Sequence, residues 1–598
     1  MTYISLLLAL IVILLAWYVI ALFWGKPWSV KGLYLRTFLK FALKGPELLT
    51  MLGLLEKFGL HAHNAKLSDA SEKAQDKIFA FIKRDLRMLR SYSRAKSTQL
   101  STDVMDFFLD DIARGETFRH HDYPLNQMFG IQSELPNFMM TLHPVVSRRE
   151  GQNYVKRLSR FGVKFDQVME GLRARESKGC IPPRFVIRRV LDEMTAFVAS
   201  PARENPLYTV FKDKLSKLEK VSASDRDLLL AAAETEIGRT VYPAYQKFID
   251  YFTALEQKAT ADDGVWKLPN GAEYYAYCLR SNTTTEYTAE QIHAIGLNEV
   301  ARIEGEMMAI LTRLGYTDVK SAPKKLAEFA REERFHFPNT DEGRVAALTE
   351  YQRLLDEVDA ALGAHFSVRP KAKLKVERVP EFREKTSAGA YYMPGDLSGS
   401  RPGVFYANLR DMAEIHQFGM KTLAYHEGIP GHHFQLSIAQ ELKGMPIFRR
   451  LVPFTAYAEG WALYSEKLAR EIGMYKDDPY GELGYLDSEL FRAVRLVVDT
   501  GIHHKKWTRE QAIEYMEAHT ASAHESVVSE IERYIVMPGQ ACAYKIGEIK
   551  MVELREKAKK ALGEKFTLGA FHDVVLKKGS MPLSVLEQVV DEYIAATK

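Results

Sequence analysis

The sequence predicts a mainly helical protein with a small β-sheet and one transmembrane helix at its N-terminus. Three observations support this fold class. Residues 2–24 are almost wholly apolar and carry no charged side chain. Over most of 69–259, apolar residues recur at the three- and four-residue spacing of amphipathic helices. Between residues 371 and 409, short alternating stretches predict strands beside a histidine-rich segment.

Composition excludes several classes of protein. The chain has 598 residues, 46% of them hydrophobic and 26% charged, which is ordinary for a globular protein with more than one core. A net charge of +4 is too small, at this length, to indicate a nucleic-acid partner. Cys180, Cys278 and Cys542 show no C-x-x-C spacing, so they predict neither a disulfide framework nor a thiolate metal site.

The apolar segment 2–24 is long enough to span a membrane. A cleavable signal peptide would begin with a basic residue and contain a shorter apolar core. Here no basic residue precedes Lys26, and residues 23–27 form a poor cleavage site, so we predict a retained single-pass anchor in the cell membrane. The positive-inside rule then places the rest of the chain on the cytoplasmic side, and the periplasmic side is the alternative.

Residues 26–68 are predicted to form a basic juxtamembrane segment. Its part from Lys31 to Lys44 either lies on anionic lipid or forms a plain solvated helix. A turn-rich stretch at 262–271 predicts the boundary between a helical N-terminal subdomain, 69–262, and a second subdomain, 263–598. In the second subdomain Thr288 and Gln291 form a capping-box pattern, which predicts a helix from there to about residue 314.

Strands are predicted at 371–376, 389–393 and 403–409, with a turn at 394–396. The last strand comes shortly before the helix that carries the histidine-rich segment. An exposed strand edge there could hydrogen-bond an extended peptide, so Tyr406 and Asn408 are candidate substrate-binding residues. An ordinary hairpin covering the helix fits the same pattern.

The histidine-rich segment predicts a metal site. His426 and Glu427 begin like the zinc motif His-Glu-x-x-His, in which the glutamate is the general base. The next histidine, His432, is six residues on and would lie about 120° away around a regular helix. Pro430 cannot continue that helix, so a kink or bulge should return His432 to the face of His426. A longer excursion would bring His433 instead, and a turn that merely happens to carry histidines is the alternative.

A catalytic zinc takes three protein ligands and leaves one position open. Glu459 and Glu466 share a helix face, but they lie about 10 Å apart along the axis, so only one can reach the ion. Gly460 would let its helix approach another backbone closely. Glu459 is therefore the predicted third ligand, Glu466 a supporting carboxylate, and Glu427 the general base that accepts a proton from activated water.

Two later stretches offer groups that could stabilise an oxyanion or bind substrate. His503 and Tyr534 are the first candidates for the oxyanion, followed by Tyr544. Arg495 and Gln540 are candidates for substrate binding. Each is equally typical of a structural residue, and Arg495 is four residues from Asp499, a spacing that predicts a local ion pair.

Four motifs together resemble a known family: His-Glu-Gly-x-Pro-Gly-His-His-x-Gln, Ala-Glu-Gly-Trp-Ala-Leu-Tyr, Val-Asp-Thr-Gly-Ile-His and Pro-Gly-Gln-Ala-x-x-Tyr-Lys-Ile-Gly. From about residue 70 to the C-terminus the chain resembles the bacterial family catalogued as domain of unknown function 885. The resemblance implies a helical, metallopeptidase-like fold, similar to the gluzincins and to the carboxypeptidase Taq clan. The metal motif implied for that family coincides with His426, Glu427, His432 and Glu459.

The sequence therefore predicts a membrane-anchored zinc peptidase that holds one zinc ion and hydrolyses peptides. One alternative is a zinc amidohydrolase acting on a non-peptide substrate. Another is a catalytically inactive, membrane-tethered binding protein, and an intact Glu427 argues against it because a binding site has no use for a general base.

Overall fold

The structure is a computed structural model that describes residues 2–53, 55–384, 389–395, 401–452 and 454–598. The chain divides into two compact units. Unit 1 comprises Met1–Asp262 with Lys267–Gly271, and unit 2 comprises Asp263–Trp266 with Ala272–Lys598. The turn-rich stretch 262–271 is where the chain passes from one unit to the other.

Unit 1 is helical throughout its described secondary structure. Apolar residues spaced along its helices form the core, as with Val186, Ile187 and Val190, all fully buried. Its helices are α1 (Thr2–Phe23), α2 (Val30–Lys44), α3 (Pro46–Leu52), α4 (Glu72–Arg90), α5 (Gln99–Gly115), α6 (Ile131–Thr141), α7 (Arg148–Leu158), α8 (Phe161–Ser177), α9 (Arg184–Val198), α10 (Pro206–Ser216), α11 (Ala223–Glu236) and α12 (Tyr242–Glu256).

Helix α1 confirms the predicted apolar N-terminal helix. Its segment Tyr3–Phe23 is long and apolar enough to cross a membrane, and a secretion signal would pass the same test. The last turn of α1 packs into unit 1, where Ala21 and Leu22 are buried. One turn earlier, the ring of Trp17 lies 5.5 Å from that of Trp28.

Unit 2 is also mainly helical. Helix α14 begins with the predicted capping box of Thr288 and Gln291. It packs along α22, and a second pair of helices, α21 and α25, also pack along each other. Its helices are α13 (Gly271–Thr283), α14 (Ala289–Arg313), α15 (Ala322–Phe329), α16 (Asp341–Ala361), α17 (Glu381–Glu384), α18 (Gln417–Glu427), α19 (His432–Glu441), α20 (Ile447–Leu451), α21 (Thr455–Glu471), α22 (Pro479–His503), α23 (Arg509–His519), α24 (His524–Val536), α25 (Cys542–Leu562), α26 (Leu568–Leu576) and α27 (Leu583–Thr597).

The three strands of unit 2 form one small sheet beside α18 and α19. They are β1 (Leu374–Arg378), β2 (Ala390–Met393) and β3 (Gly403–Ala407), in the order β1-β3-β2. Strand β3 pairs in parallel with β1 and antiparallel with β2. The predicted turn at 394–396 ends outside the described residues.

Strand β3 corrects the prediction of a substrate-binding edge at 404–408. Both of its edges are already hydrogen-bonded, because β1 lies on one side and β2 on the other. An added peptide strand needs unpaired backbone groups along an edge, and β3 has none to offer. The alternative, a hairpin that covers the helices, describes β2 and β3 correctly.

Candidate metal centre

The helical structure is interrupted between α18 and α19, and this interruption brings His426 and His432 together. The kink or bulge predicted there is a complete break, because α18 ends at Glu427 and α19 begins at His432. A Cβ atom on Gly431 would lie 1.9 Å from the carbonyl oxygen of His426, so only glycine allows the chain to fold back so tightly. Trp461 Nε1 and Ser465 Oγ of α21 donate to the Pro430 carbonyl, at 2.8 and 3.2 Å, and hold the break in place.

The three predicted ligands converge. Donor atoms of His426, His432 and Glu459 all lie within 4.8 Å of one another. Glu459 Oε2 is 3.6 Å from His426 Nε2 and 3.5 Å from His432 Nε2. Neighbouring ligand atoms of a tetrahedral zinc with bonds of about 2.0–2.1 Å lie about 3.4 Å apart. The two nitrogen–oxygen distances match this spacing, so the two imidazoles and the carboxylate could hold a zinc ion with one position left open.

Helix α21, which carries Glu459, lies unusually close to α25. A Cβ atom on Gly460 would lie 2.4 Å from the carbonyl carbon of Gly547. The close backbone approach predicted at Gly460 is therefore present, with a second glycine opposite it.

Glu466 orients the first histidine. Its Oε1 lies 2.7 Å from His426 Nδ1. The imidazole of His426 therefore lies between Glu459 and Glu466, which are two turns apart on α21. A hydrogen bond from Nδ1–H to Glu466 leaves Nε2 as the lone-pair donor, which is the usual carboxylate–histidine arrangement at zinc. Ser488 Oγ donates to Glu466 Oε2 at 3.0 Å, and Arg492 in turn donates to Ser488.

Ser488 and Arg492 are further functional candidates, and nothing in the sequence pointed to Ser488. They lie one turn apart on α22, but nothing in the local sequence shows that α22 packs against α18 and α21. They also line a pocket of about 210 Å³ beside His426 and Glu466. Asp487 lines the same pocket, and burial raises its pKa to about 6.

The charges of the cluster favour a cation. Burial lowers the pKa of His426, but the carboxylates of Glu459 and Glu466 raise it more strongly, to about 10. Burial raises the pKa of Glu459, and His432 and His426 together hold it far below its usual range. Two carboxylates thus attract positive charge to the same few ångströms.

Glu427 is the last residue of α18 and is buried. Among the described residues, none forms a hydrogen bond with its carboxylate. An unengaged carboxylate directly after a candidate metal ligand suits a general base. The reserve ligand His433 points elsewhere, since its Nδ1 lies 3.0 Å from the hydroxyl of Tyr392.

His503 is a structural residue and corrects the prediction of an oxyanion donor. Its Nδ1 accepts from the backbone N–H of Val265 at 3.1 Å, and its Nε2 donates to the carbonyl of Tyr534 at 2.9 Å. Burial lowers its pKa to about 4, so the ring is neutral and both nitrogens are engaged.

Arg495 lies in a second cluster. Its Nε donates to the Tyr534 hydroxyl at 2.8 Å and its Nη2 to Glu530 at 2.9 Å. The Tyr534 hydroxyl donates to the same glutamate at 2.5 Å. The ring of Tyr544 lies 4.6 Å from the Arg495 guanidinium. The ion pair predicted between Arg495 and Asp499 is wrong, because α24 supplies a carboxylate that the i,i+4 pattern cannot show.

The remaining substrate-binding candidates have partners of their own. Gln540 Oε1 accepts from Arg533 at 2.7 Å. Asn408 is buried and donates to the carbonyl of Glu384 at 2.8 Å. The ring of Tyr406 lies 5.2 Å from that of Tyr391 on the neighbouring strand. None of these three contacts involves the three-ligand cluster, so a role in substrate binding stays a prediction.

With this geometry established, comparison with known proteins identifies the family. A family model described as "Bacterial protein of unknown function (DUF885)" matches residues 46–590. The chain belongs to the DUF885 family. The resemblance inferred from the four motifs is thereby confirmed, and the match begins N-terminal to residue 70. No curated protein sequence matches this DUF885 chain.

Two putative lipoproteins of known structure share this fold. A putative lipoprotein from Colwellia psychrerythraea is 33% identical, with a TM-score of 0.91, over 95% of this DUF885 chain and 99% of that chain. A putative lipoprotein of unknown function from Shewanella oneidensis is 18% identical, with a TM-score of 0.72, over 94% and 99%. A putative oligoendopeptidase F from Bacillus anthracis str. Ames has a TM-score of 0.26 at 12% identity, over 87% and 96%, which is too low to show a shared fold.

Proposed function

We propose that this protein is a zinc-dependent peptidase attached to a membrane. The observation that carries the proposal is the cluster of His426, His432 and Glu459, whose donor atoms lie within 4.8 Å of one another. Glu466 orients the first histidine from behind, and Glu427 follows it in the chain. Two imidazoles, one carboxylate and an adjacent unengaged glutamate are the components of a hydrolytic zinc site.

Each of these residues has a distinct role in the proposed hydrolysis. A zinc ion at this site would supply Lewis-acid activation of water and of the scissile carbonyl. The Glu427 carboxylate accepts the proton of the attacking water and passes it to the leaving amine. Glu466 holds the His426 ring in the tautomer that presents Nε2. The pocket beside His426 offers room for part of the substrate, and Arg492 and Asp487 give it both signs of charge.

Helix α1 is the proposed anchor. Removing it by cleavage would strip Ala21 and Leu22 from the core of unit 1 and would separate Trp28 from the rings of Trp17 and Tyr18, 5.5 and 5.3 Å away. A cleavable leader has no reason to pack in this way, so these contacts favour retention. The similar solved structures come from proteins named as putative lipoproteins, which agrees with a place at a membrane.

The first experiment is metal analysis of the full-length protein beside three variants. We expect about one zinc per chain, the count of a single catalytic site, in the wild type. His426→Ala and Glu459→Ala should lose it, because each removes one of three ligands. Glu427→Gln should keep the metal while turnover falls by roughly 10²–10⁴-fold, the usual contribution of a general base.

The substrate class is tested with a peptide library and a panel of non-peptide amides. Cleavage of peptides by the wild type, and not by Glu427→Gln, supports the peptidase. Cleavage restricted to the non-peptide amides would instead establish an amidohydrolase. Metal that survives both ligand substitutions would contradict the site itself.

A further inference from the structure

The segment that follows α1 in unit 1 has an unusual surface. Among the described residues between 24 and 60, the exposed large apolar side chains are Trp24, Trp28, Leu35, Leu43, Leu48, Met51, Phe58 and Leu60. We call this set the apolar platform. The part of unit 1 that follows residue 60, more than five times as long, exposes only Phe129, Leu142, Val146, Val163 and Leu228 among its described residues. Concentrated exposed apolar surface marks an interaction site.

Buried polar contacts fix the inner side of the segment that carries the apolar platform. Arg157, fully buried, donates to Thr50 Oγ1 at 2.8 Å and to the carbonyl of His63 at 3.1 Å. Asn64, also fully buried, receives a hydrogen bond from Thr50 at 2.6 Å. The inner side of this segment is thus fixed by buried polar contacts, while Phe58 remains 80% exposed and Met51 59% exposed. The apolar side chains are therefore presented outwards by well-packed backbone.

The exposed charged residues of the same segment are all positive. Its exposed charged residues are Lys26, Lys31, Lys44 and Lys57. Its two acidic residues are engaged on the inner side. Glu47 accepts from the backbone N–H of Ser68 at 3.0 Å, and Glu56 lies 2.8 Å from Nε2 of His63. Lysines among exposed aromatic and aliphatic side chains are typical of proteins that rest on an anionic lipid surface.

Taking α1 as the anchor proposed above, we infer that the apolar platform lies in the interface of the same membrane, as a second contact beside that anchor. The platform directly follows α1 in the chain, and Arg36 Nη1 donates to the carbonyl of Gly25 at 2.6 Å, which fixes the end of α1 to α2. Trp24 and Trp28, at this junction, are the residue type that is enriched at membrane interfaces. Unit 1 would therefore be held against the bilayer surface.

The test uses full-length protein in nanodiscs made of phosphatidylcholine with or without phosphatidylglycerol. Spin labels are attached to Met51→Cys and Phe58→Cys, with Val163→Cys and Leu228→Cys as controls that are 63% and 64% exposed in the wild type. The three native cysteines are buried, so labelling is confined to the new sites. We expect labels at 51 and 58 to collide with oxygen and to exclude a water-soluble nickel chelate at least several-fold more than the controls.

Labels at 51 and 58 that meet the nickel chelate as freely as the controls would overturn the inference. Labels shielded from both oxygen and nickel would also overturn it, because they would show a protein partner or a second copy of the chain. A stronger effect with phosphatidylglycerol is expected from the lysines. Bound zinc, measured on the same samples, reports separately on the proposed peptidase site.

Discussion

His426 meets one glutamate at each ring nitrogen, and both glutamates come from α21. Glu459 faces Nε2 at 3.6 Å and Glu466 faces Nδ1 at 2.7 Å. A helix that supplies the ligand and the orienting carboxylate two turns apart fixes the ring in position and in tautomer. The support continues through Ser488 to Arg492, so the ring is held by a chain of polar contacts that ends on α22.

We predict that Glu466→Gln weakens zinc binding by about 10–100-fold, the usual cost of losing an orienting partner. A glutamine can still touch Nδ1 but no longer stabilises the donor tautomer by charge. Competition with a fluorescent chelator measures the Kd. Glu471→Gln is the matched control, because Glu471 lies on the same helix and pairs with Arg555. Equal zinc affinity in Glu466→Gln and Glu471→Gln would refute the orienting role.

Asp499 is a buried carboxyl group whose titration should affect stability. It accepts from the Tyr275 hydroxyl at 2.5 Å and from the Gly539 N–H at 3.0 Å, but burial dominates and raises its pKa to about 7. An unfolded aspartate has a pKa of about 3.9. Between these values the folded chain holds a proton that the unfolded chain releases, so this group's contribution to stability falls as the pH rises from about 4 to 7.

Asp499→Asn should remove the loss of stability that the wild type suffers as the pH rises from about 4 to 7. Asparagine stays neutral and keeps an acceptor for both donors. The unfolding free energy of the variant relative to the wild type should increase with pH by up to about 4 kcal/mol, at about 1.36 kcal/mol per pKa unit. Urea unfolding at several pH values between 4 and 8 measures it. Parallel stability profiles for the two proteins would contradict a protonated Asp499.

At the scale of elements, the site depends on the contact between α21 and α25. Gly460 and Gly547 face each other so closely that neither has room for a Cβ atom. We predict that Gly460→Ala lowers the unfolding free energy by about 1–3 kcal/mol, as overpacking usually does, and weakens zinc binding because it displaces Glu459. Thermal unfolding and zinc titration measure both effects.

Gly305→Ala is the control for this substitution. Gly305 lies within α14 with nothing near its Cβ position, so alanine should stabilise the protein by about 0.5–1 kcal/mol through helix propensity alone. If both variants were stabilised, the close approach of α21 and α25 would not constrain the fold.

Sequence patterns predict those structural elements that are determined by residues close together in the chain. The capping box of Thr288 and Gln291, the strands at 390–393 and 403–407, and the interruption at Pro430 all follow from the chemistry of adjacent residues. The order of the strands does not, because long-range packing inserts β3 between β1 and β2. For the same reason Arg495 could not be assigned its true partner, Glu530, which approaches from another helix.

At the scale of the molecule, the two units carry different parts of the proposed function. The proposed metal ligands come from α18, α19 and α21, all in unit 2. Helix α1 and the apolar platform belong to unit 1. A ligand that binds only the folded form stabilises the elements that hold it, so metal and membrane should each protect a different part of the chain.

Hydrogen exchange with and without zinc should reveal this division. At a free zinc concentration 100 times the Kd, openings that release the metal become about 100-fold rarer. Amides of α18, α19 and α21 that exchange through such openings should slow by about that factor. Amides of α8 and α9 in unit 1 should exchange at unchanged rates. His426→Ala should show no zinc-dependent protection, and protection that spreads equally through unit 1 would refute a metal centre confined to unit 2.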